Sequence, residues 1–300
     1  MSNLHTDDKP TDTVTLPSGL YIVATPIGNL GDLSPRAAAV LAGAALIACE
    51  DTRVTAKLLA HIGAKVPMLP YHDHSAQSVR PRIIEKALVA PVALVSDAGT
   101  PLISDPGYKL VQAAREAGVN IVTVPGPCAA IAALTLAGLP TDRFLFAGFL
   151  PPKGGPRAAV IAELASVPAT LVFYESGPRL GAALAALHQG LGDRPAAVGR
   201  ELTKRFEECV AGSLSELAAR YADAPPRGEI VITIGPPAPA EAVSAETLDA
   251  ALVQAMGSAS LKSAVALVAA RLGLPRGDVY ARALALREGA AESLGGGAGD

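Results

Sequence analysis

Leu94-Val-Ser-Asp-Ala-Gly-Thr-Pro-Leu-Ile-Ser-Asp-Pro-Gly107 starts as the end of an apolar run and turns within two residues into small, polar and ring-constrained positions. The run from Pro91 to Val95 reads as a buried strand, and nothing from Ser96 onward can continue it. In open α/β sheets ligands bind outside the carboxyl ends of the strands, so residues 96–107 are the first place to look for a site. Gly99 and Gly107 suit positive φ and close approach of a ligand to the backbone, while Pro101 and Pro106 fix φ and stiffen the loop. Asp97 and Asp105 then stand on a preformed frame. Taken alone, these residues would equally satisfy an ordinary turn-rich connection.

The same pattern recurs on both sides of this stretch. Leu20 to Thr25 reads as a strand that runs into the loop Pro26-Ile-Gly-Asn-Leu-Gly-Asp32, after which Ser34-Pro35 supplies an N-cap and a proline at the first helical position. Leu46 to Cys49 is a short strand leading to Glu50-Asp-Thr-Arg53, with a helix to His61. A helix from Tyr108 to Ala117 follows the central loop, and the strand from Asn120 to Val124 ends in Pro125-Gly-Pro-Cys-Ala129. Several Gly/Pro loops on one sheet edge make a cleft. The first loop lacks the lysine-bearing phosphate cradle of NTPases, and its Gly28-x-x-Gly31 spacing is not the three-glycine dinucleotide fingerprint. Tyr71-His-Asp-His74 has no accompanying Cys/His group, so no metal is expected.

With 300 residues, 50% of them hydrophobic and 18% charged, the chain is long enough for two domains with a sizeable core. The longest apolar run, residues 37–49, is too short to span a bilayer. The polar start, with Asp7, Asp8 and Asp12, lacks the features of a signal peptide, which points to the cytoplasm. Three scattered cysteines form neither a disulfide framework nor a zinc motif. A net charge of −3 leaves any nucleic-acid contact to local charge.

Composition and periodicity divide the chain into a loose arm over 1–18, an α/β domain over 19–149, a second α/β domain over 150–235, a helical unit over 246–289 and a tail over 290–300. Phe144 to Phe149 reads as the last strand of the first domain and Leu150-Pro-Pro-Lys-Gly-Gly-Pro156 as the linker. A helix is expected from Ala158 to Ala165 and another from Leu214 to Tyr221. Thr170 to Tyr174, Ala196 to Val198, Arg205 to Ala211 and Glu229 to Ile234 read as strands of a mixed sheet. Residues 235–241 form a second linker. From Ser260 to Tyr280 the helix, glycine turn, helix pattern is that of a helix-turn-helix unit. Residues 257–289 carry Lys262, Arg271, Arg276, Arg282 and Arg287 against Asp278 and Glu288, a local excess of positive charge in an acidic chain.

Six blocks, in order, make the chain resemble the ribosomal RNA small-subunit methyltransferase I family of the wider tetrapyrrole-methylase superfamily. They are Leu20 to Asp32, Glu50-Asp-Thr-Arg53, Ser96 to Tyr108, Val124-Pro-Gly-Pro-Cys-Ala-Ala130, Phe173-Tyr-Glu-Ser176 and Gly199-Arg-Glu-Leu-Thr-Lys204. The chain departs from the family at Glu175-Ser-Gly-Pro-Arg179, where a histidine is expected before the arginine. The resemblance implies a two-domain α/β tetrapyrrole-methylase-like fold, with a mainly parallel N-terminal sheet, a mixed second sheet and a small C-terminal helical domain. It also implies transfer of methyl from S-adenosylmethionine to the ribose 2′-hydroxyl of a decoding-centre cytidine in 16S rRNA, by a homodimer.

By the same resemblance the cofactor lies between the two domains, against Pro26, Asp97, Ala98, Gly99, Pro101, Ser104, Asp105, Thr123, Gly126 and Pro127 of the first and Tyr174, Leu202 and Thr203 of the second. A sulfonium cofactor without phosphate needs close backbone approach rather than an anion cradle, which rigid Gly/Pro loops provide. Asp32, Asp105 and Glu201 are candidates for the base that takes the hydroxyl proton, though each could instead cap a turn or pair with Arg53 or Arg200. Lys262, Arg271, Arg276, Arg282 and Arg287 are candidates for RNA phosphate contacts. Two other readings remain open: a tetrapyrrole methyltransferase, and a non-enzymatic nucleic-acid binder that reads through the C-terminal helices. Binding of S-adenosylmethionine separates the second from the enzyme.

Overall fold

The computed structural model describes residues 16–72, 76–238 and 244–295 and divides into two compact units, Met1–Pro237 and Ala238–Asp300. In the larger unit, β1 (Gly19–Val23), β2 (Leu46–Cys49), β3 (Met68–Pro70), β4 (Pro91–Val95) and β5 (Ile121–Val124) form a parallel sheet in the order β3-β2-β4-β1-β5. Alternate residues of each strand enter different cores. Tyr21, Val23, Ile47, Cys49, Ala93 and Val95 pack with the helices α1 (Pro35–Gly43) and α2 (Thr52–His61). Leu20, Leu46, Ala48, Val92 and Leu94 pack with α3 (Ala76–Val89) and α4 (Tyr108–Glu116). Both faces are covered, which is why these strands read as continuous apolar runs.

From β1 the chain crosses to β2 on one side, and from β4 it crosses over to β5 on the other. The loops leaving β1 and β4 therefore part at a topological switch point, where such sheets open into a crevice. Caps fix the starts of the flanking helices: the Ser34 hydroxyl accepts from Ala37 N at 3.1 Å, and the Asp51 carboxylate accepts from Arg53 N at 2.8 Å.

The second sheet runs β6-β7-β10-β8-β9, from β6 (Phe144–Phe149), β7 (Thr170–Ser176), β8 (Pro195–Arg200), β9 (Glu208–Ser213) and β10 (Glu229–Ile234). Only β6 and β7 are parallel; the other pairs are antiparallel. One face carries α6 (Gly154–Leu164), α7 (Leu180–Leu191) and α8 (Leu214–Arg220) over Phe173, Ile232 and their neighbours. The other face receives α5 (Ala129–Ala137), whose Ala130, Ala133 and Leu134 cluster with Val172, Val231, Leu202 and Ile27. The buried face of this almost wholly apolar helix packs on the second sheet, while Ile131 and Leu136 stay exposed.

Several sequence expectations are corrected. Phe144–Phe149 is not the last strand of the first sheet but an edge strand of the second, paired with β7. The chain changes sheet after α5, which stops at Gly138 in the left-handed region. Residues 150–156 are not a free linker: Leu150 is buried in the second core, and α6 begins at Gly154, since first-turn N–H groups need no helical partner and Gly-Gly-Pro is tolerated there. The strand expected from Arg205 begins at Glu208, after a tight turn. Residues 16–18 of the expected arm are held, with Leu16 on the first core and Pro17 O accepting from the Tyr21 hydroxyl at 2.9 Å. Residues 1–15, Asp73 and His74 of the Tyr71 to His74 cluster, residues 239–241 of the second linker and residues 296–300 of the tail lie outside the described residues.

The smaller unit holds α9 (Ala245–Met256), α10 (Leu261–Leu272) and α11 (Arg276–Gly295) around Leu252, Val265, Val268, Val279 and Ala283. Ser244 and Ser260 cap the first two helices, and Gly273 ends the second with φ 66°. The last helix continues into the expected tail, because Ala290-Ala-Glu-Ser-Leu294 are residues a helix accepts. Among the described residues, no helix is long and apolar enough to cross a membrane.

Candidate cofactor cleft

The central loop is fixed by hydrogen bonds to itself and to the loops that leave the neighbouring strands. Thr25 and Gly99 exchange backbone hydrogen bonds of 2.9 and 3.0 Å, joining the loops that leave β1 and β4. The buried Ser96 hydroxyl donates back to Ala98 O at 3.2 Å. Thr100 Oγ1 donates to Pro127 O at 2.9 Å, tying in the loop after β5. Asp97 Oδ1 accepts from Asp51 N at 2.9 Å, tying in the loop after β2. Four strand ends are thus held in one frame.

Non-glycine residues with positive φ occur at Leu102 (75°), Ser104 (61°), Glu201 (49°) and Thr203 (64°). Such positions cost about 1–3 kcal/mol each and persist where the surroundings over-determine them. The two loops carrying them meet across the cleft. A Cβ on Gly148, at φ 65°, would stand 3.1 Å from Ser104 Oγ, so the bulge in β6 touches the central loop through bare backbone. Lys204 crosses Gly28 so closely that a Cβ there would lie 2.3 Å from its Cγ. Its ammonium donates to Glu201 Oε1 and Glu229 Oε2, both at 3.0 Å.

Two adjoining cavities lie along this seam. One, of about 200 Å³, is lined by Ile27, Ala98, Gly99, Thr100, Ile103, Ser104, Asp105, Ala129, Phe149, Tyr174, Glu175, Glu229, Ile230 and Val231. The other, of about 370 Å³, includes Thr25, Pro26, Gly28, Lys57, Asp97, Ala98 and Lys204. Tyr174 packs edge-on against Phe146 and Phe149, with ring centroids 4.8 and 5.7 Å away. Its hydroxyl accepts from Ala130 N at 3.2 Å, and burial raises its pKa far above the ordinary phenol value.

Of the expected cofactor residues, Ala98, Gly99, Ser104, Asp105 and Tyr174 line the first cavity, and Pro26, Asp97 and Ala98 the second. Pro101, Thr123, Gly126, Pro127, Leu202 and Thr203 line neither. Leu202 is buried beside Ile27, and Pro127 and Thr203 serve loop geometry. The three candidate bases differ sharply. Burial raises the Asp105 carboxyl above the usual carboxylate range, against a hydrogen bond from Ser96 and with help from the Asp97 charge. Glu201 is lowered, first by its bond from Lys204, and also accepts from Glu229 N at 3.1 Å. Asp32 ends the short helix Leu30–Asp32, is exposed, and lines none of the cavities.

Glu175 also lines the first cavity, although the sequence pattern does not single it out as a site residue. It is 3% exposed, pairs with Arg179 Nε at 3.2 Å and accepts from Ser176 N at 2.9 Å. Its Oε2 is buried with no hydrogen-bond partner among the described residues, and the residue lines the first cavity. Glu229, Ile230 and Val231 also line it, although they begin their strand. They do so because β10 is antiparallel, which sets Ile230 opposite Glu175 and Val231 opposite Tyr174. A search of carboxyl ends alone passes over them. Among the expected RNA contacts, Lys262, Arg271, Arg276 and Arg287 are exposed. Arg282 is instead engaged, donating to both carboxylate oxygens of Asp249 at 2.7 and 2.6 Å.

Residues 19–218 match the family of Tetrapyrrole (Corrin/Porphyrin) Methylases, and residues 241–287 match the RsmI C-terminal HTH domain. The chain is 51% identical over 272 residues to the ribosomal RNA small subunit methyltransferase I of Erythrobacter litoralis, covering 91% of this chain and 96% of that one. It is 46% identical over 284 residues to the enzyme of the same name from Mesorhizobium japonicum, covering 94% and 96%. Among solved structures it is similar to a uroporphyrin-III-C-methyltransferase from Thermus thermophilus, with a TM-score of 0.53 at 22% identity over 73% of this chain and 94% of that one. It is also similar to a diphthine synthase, with a TM-score of 0.57 at 18% identity over 72% and 89%. At these identities the solved structures speak for the fold alone.

Proposed function

Because the chain belongs to the ribosomal RNA small subunit methyltransferase I family of tetrapyrrole methylases, it is an S-adenosylmethionine-dependent methyltransferase of small-subunit ribosomal RNA, and we propose that the group it methylates is the ribose 2′-hydroxyl of a decoding-centre cytidine in 16S rRNA. The observation that carries this reading is the 51% identity over 91% of the chain, which takes in both the cleft and the C-terminal helices. The tetrapyrrole alternative has only fold-level likeness behind it, and a purely binding role leaves the methylase match over 19–218 unexplained.

The cleft suits the cofactor. Gly99, at φ 81°, offers bare backbone; Ile27, Phe149 and Val231 offer apolar walls; the unpartnered Glu175 Oε2 offers an acceptor. When bound, S-adenosylmethionine supplies an electrophilic methyl on a cationic sulfur. Ala98, Gly99, Ser104, Tyr174 and Glu175 would hold it, with Pro26 and Asp97 in the adjoining cavity. The rigid frame fixes the reacting groups in place, an effect worth roughly 7–11 kcal/mol in well-oriented intramolecular reactions. Asp105 takes the hydroxyl proton, since a carboxyl lifted by burial is a better base than Glu201, whose pKa its bond from Lys204 lowers, and the step contributes about 10²–10⁴-fold. Lys262, Arg271, Arg276 and Arg287 contact RNA phosphates. The protein acts in the cytoplasm as a homodimer, and light scattering giving a 30.3 kDa particle at micromolar concentration would count against the dimer.

The test is mass spectrometry of 16S rRNA nucleosides, after incubating small subunits from a strain lacking this gene with the protein and cofactor. 2′-O-methylcytidine is expected. Methyl on a base, or on no nucleoside of the decoding region, overturns the reading.

A further inference from the structure

A third cavity, of about 700 Å³, lies on the other side of the central loop, lined by Tyr71, Gln77, Arg80, Tyr108 and Lys109 and closed by residues 104–107. Ser104 and Asp105 are common to this cavity and to the cofactor cavity, so one wall, held left-handed at Ser104, separates the two. The lining sets two cations, Arg80 and Lys109, and two aromatic rings, Tyr71 and Tyr108, against the single carboxyl of Asp105. Arg80 keeps its Nε buried with no hydrogen-bond partner among the described residues, a donor that requires an acceptor. The Lys109 ammonium stands 5.8 Å from the ring centre of Tyr108, a residue that is 63% exposed. Such an arrangement offers charge to a phosphate and a flat face to a base. No side chain caps the first turn of α4, which opens on the same cavity at Gly107 and adds partial positive charge.

We propose that this cavity receives a nucleotide of the single-stranded RNA flanking the methylated residue, its phosphodiester between Arg80 and Lys109 and its base or sugar on Tyr108. The proposal rests on the RNA reading above and deepens it. Single-stranded segments with splayed bases are what proteins read on RNA by stacking and phosphate contact. The shared Ser104–Asp105 wall then holds the flanking nucleotide next to the cofactor cavity, so that the neighbouring ribose can reach the methyl past Asp105.

Lys109→Ala, Arg80→Lys and the Arg80→Ala/Lys109→Ala pair test it in the full chain. The KM for small subunits is expected to rise about tenfold for each single variant, as loss of one charge-assisted contact implies, and about a hundredfold for the pair. The salt dependence of RNA binding should become shallower by about one logarithmic unit in Lys109→Ala and about two in the pair, and stay near wild type in Arg80→Lys, which keeps the charge. Calorimetric affinity for S-adenosylmethionine and the melting temperature should stay at wild-type values. Lys109 is exposed, so its variant remains folded even if an Arg80 variant does not. Unchanged KM and salt slope overturn the proposal, as does a parallel loss of cofactor affinity, which would give the cavity to the cofactor. A second arm reads binding of a ten-nucleotide single-stranded RNA by fluorescence anisotropy, without turnover. Weaker binding by Lys109→Ala, with displacement by cytidine monophosphate well below the concentration at which inorganic phosphate acts, supports the nucleotide site. Equal displacement by inorganic phosphate reduces it to an anion site and overturns it. If wild type methylates no ribosomal RNA, the functional reading fails while this arm still decides the cavity.

Discussion

Asp105→Asn separates proton transfer from positioning with the smallest change of shape. The side chain is half-buried between two cavities, beside Asp97 and the Ser96 hydroxyl, and burial lifts its pKa above the ordinary carboxylate value. Asparagine keeps the volume and an acceptor oxygen but cannot take a proton. Turnover should fall about 10²–10⁴-fold, equivalent to roughly 2.7–5.4 kcal/mol of barrier. In wild type, kcat should climb with pH as the carboxylate forms, along a limb displaced upward from the usual aspartate range; the variant should lack that limb. Stability supplies an independent sign. A carboxyl whose folded pKa is raised contributes its stability below the unfolded pKa and loses it as pH rises through the folded one. The melting temperature of Asp105→Asn relative to wild type should therefore increase from acid toward neutral pH. Single-turnover kinetics across pH, with calorimetric binding of S-adenosylmethionine, make the measurement. Wild-type turnover with an intact acid limb would refute the role of the base and leave Asp105 as a loop residue.

Gly177→Ala would set a Cβ 1.7 Å from Pro226 O, backbone against backbone, and should cost about 1–3 kcal/mol or more in urea unfolding; an unchanged midpoint would show that the residues around Pro226 give way freely. Glu175→Gln should weaken S-adenosylmethionine binding about tenfold, as expected where a charged acceptor is replaced by a neutral one, and calorimetry with equal affinities would remove it from the site. A chain ended after Pro237, at the boundary between the compact units, should bind the cofactor as wild type does yet methylate ribosomal RNA with a raised KM and a shallower salt slope. Unchanged kinetics would leave the C-terminal helices no part in docking.

The loops after β1, β4 and β5 were legible because glycine and proline restrict φ in ways that leave few structural options. Burial on both sheet faces was legible too, in the unbroken apolar runs. Strand direction was not: nothing in Glu229 to Ile234 says that it runs against β7, and only that reversal brings Glu229, Ile230 and Val231 to the cleft. Helix α3 hides behind Pro81 in its interior, a residue that normally ends a helix. With it hidden, Arg80 and the third cavity gave no signal. Asp32 looked equivalent to Asp105 in a line of text, since exposure is a property of the folded surroundings and not of the residue.

Helix α5 follows a strand of the first sheet yet lays its alanines and Leu134 against Val172 and Val231 of the second. Pulling the two sheets apart would strip that helix of its cover and expose an almost entirely apolar surface to water. The halves of the larger unit are thus thermodynamically one body, and heating should melt them in a single calorimetric transition with equal van't Hoff and calorimetric enthalpies. Ligands then enter by local opening of the loops that close the cleft, so hydrogen exchange should be fast at residues 100–106 and 201–207 while α5 exchanges only with global unfolding.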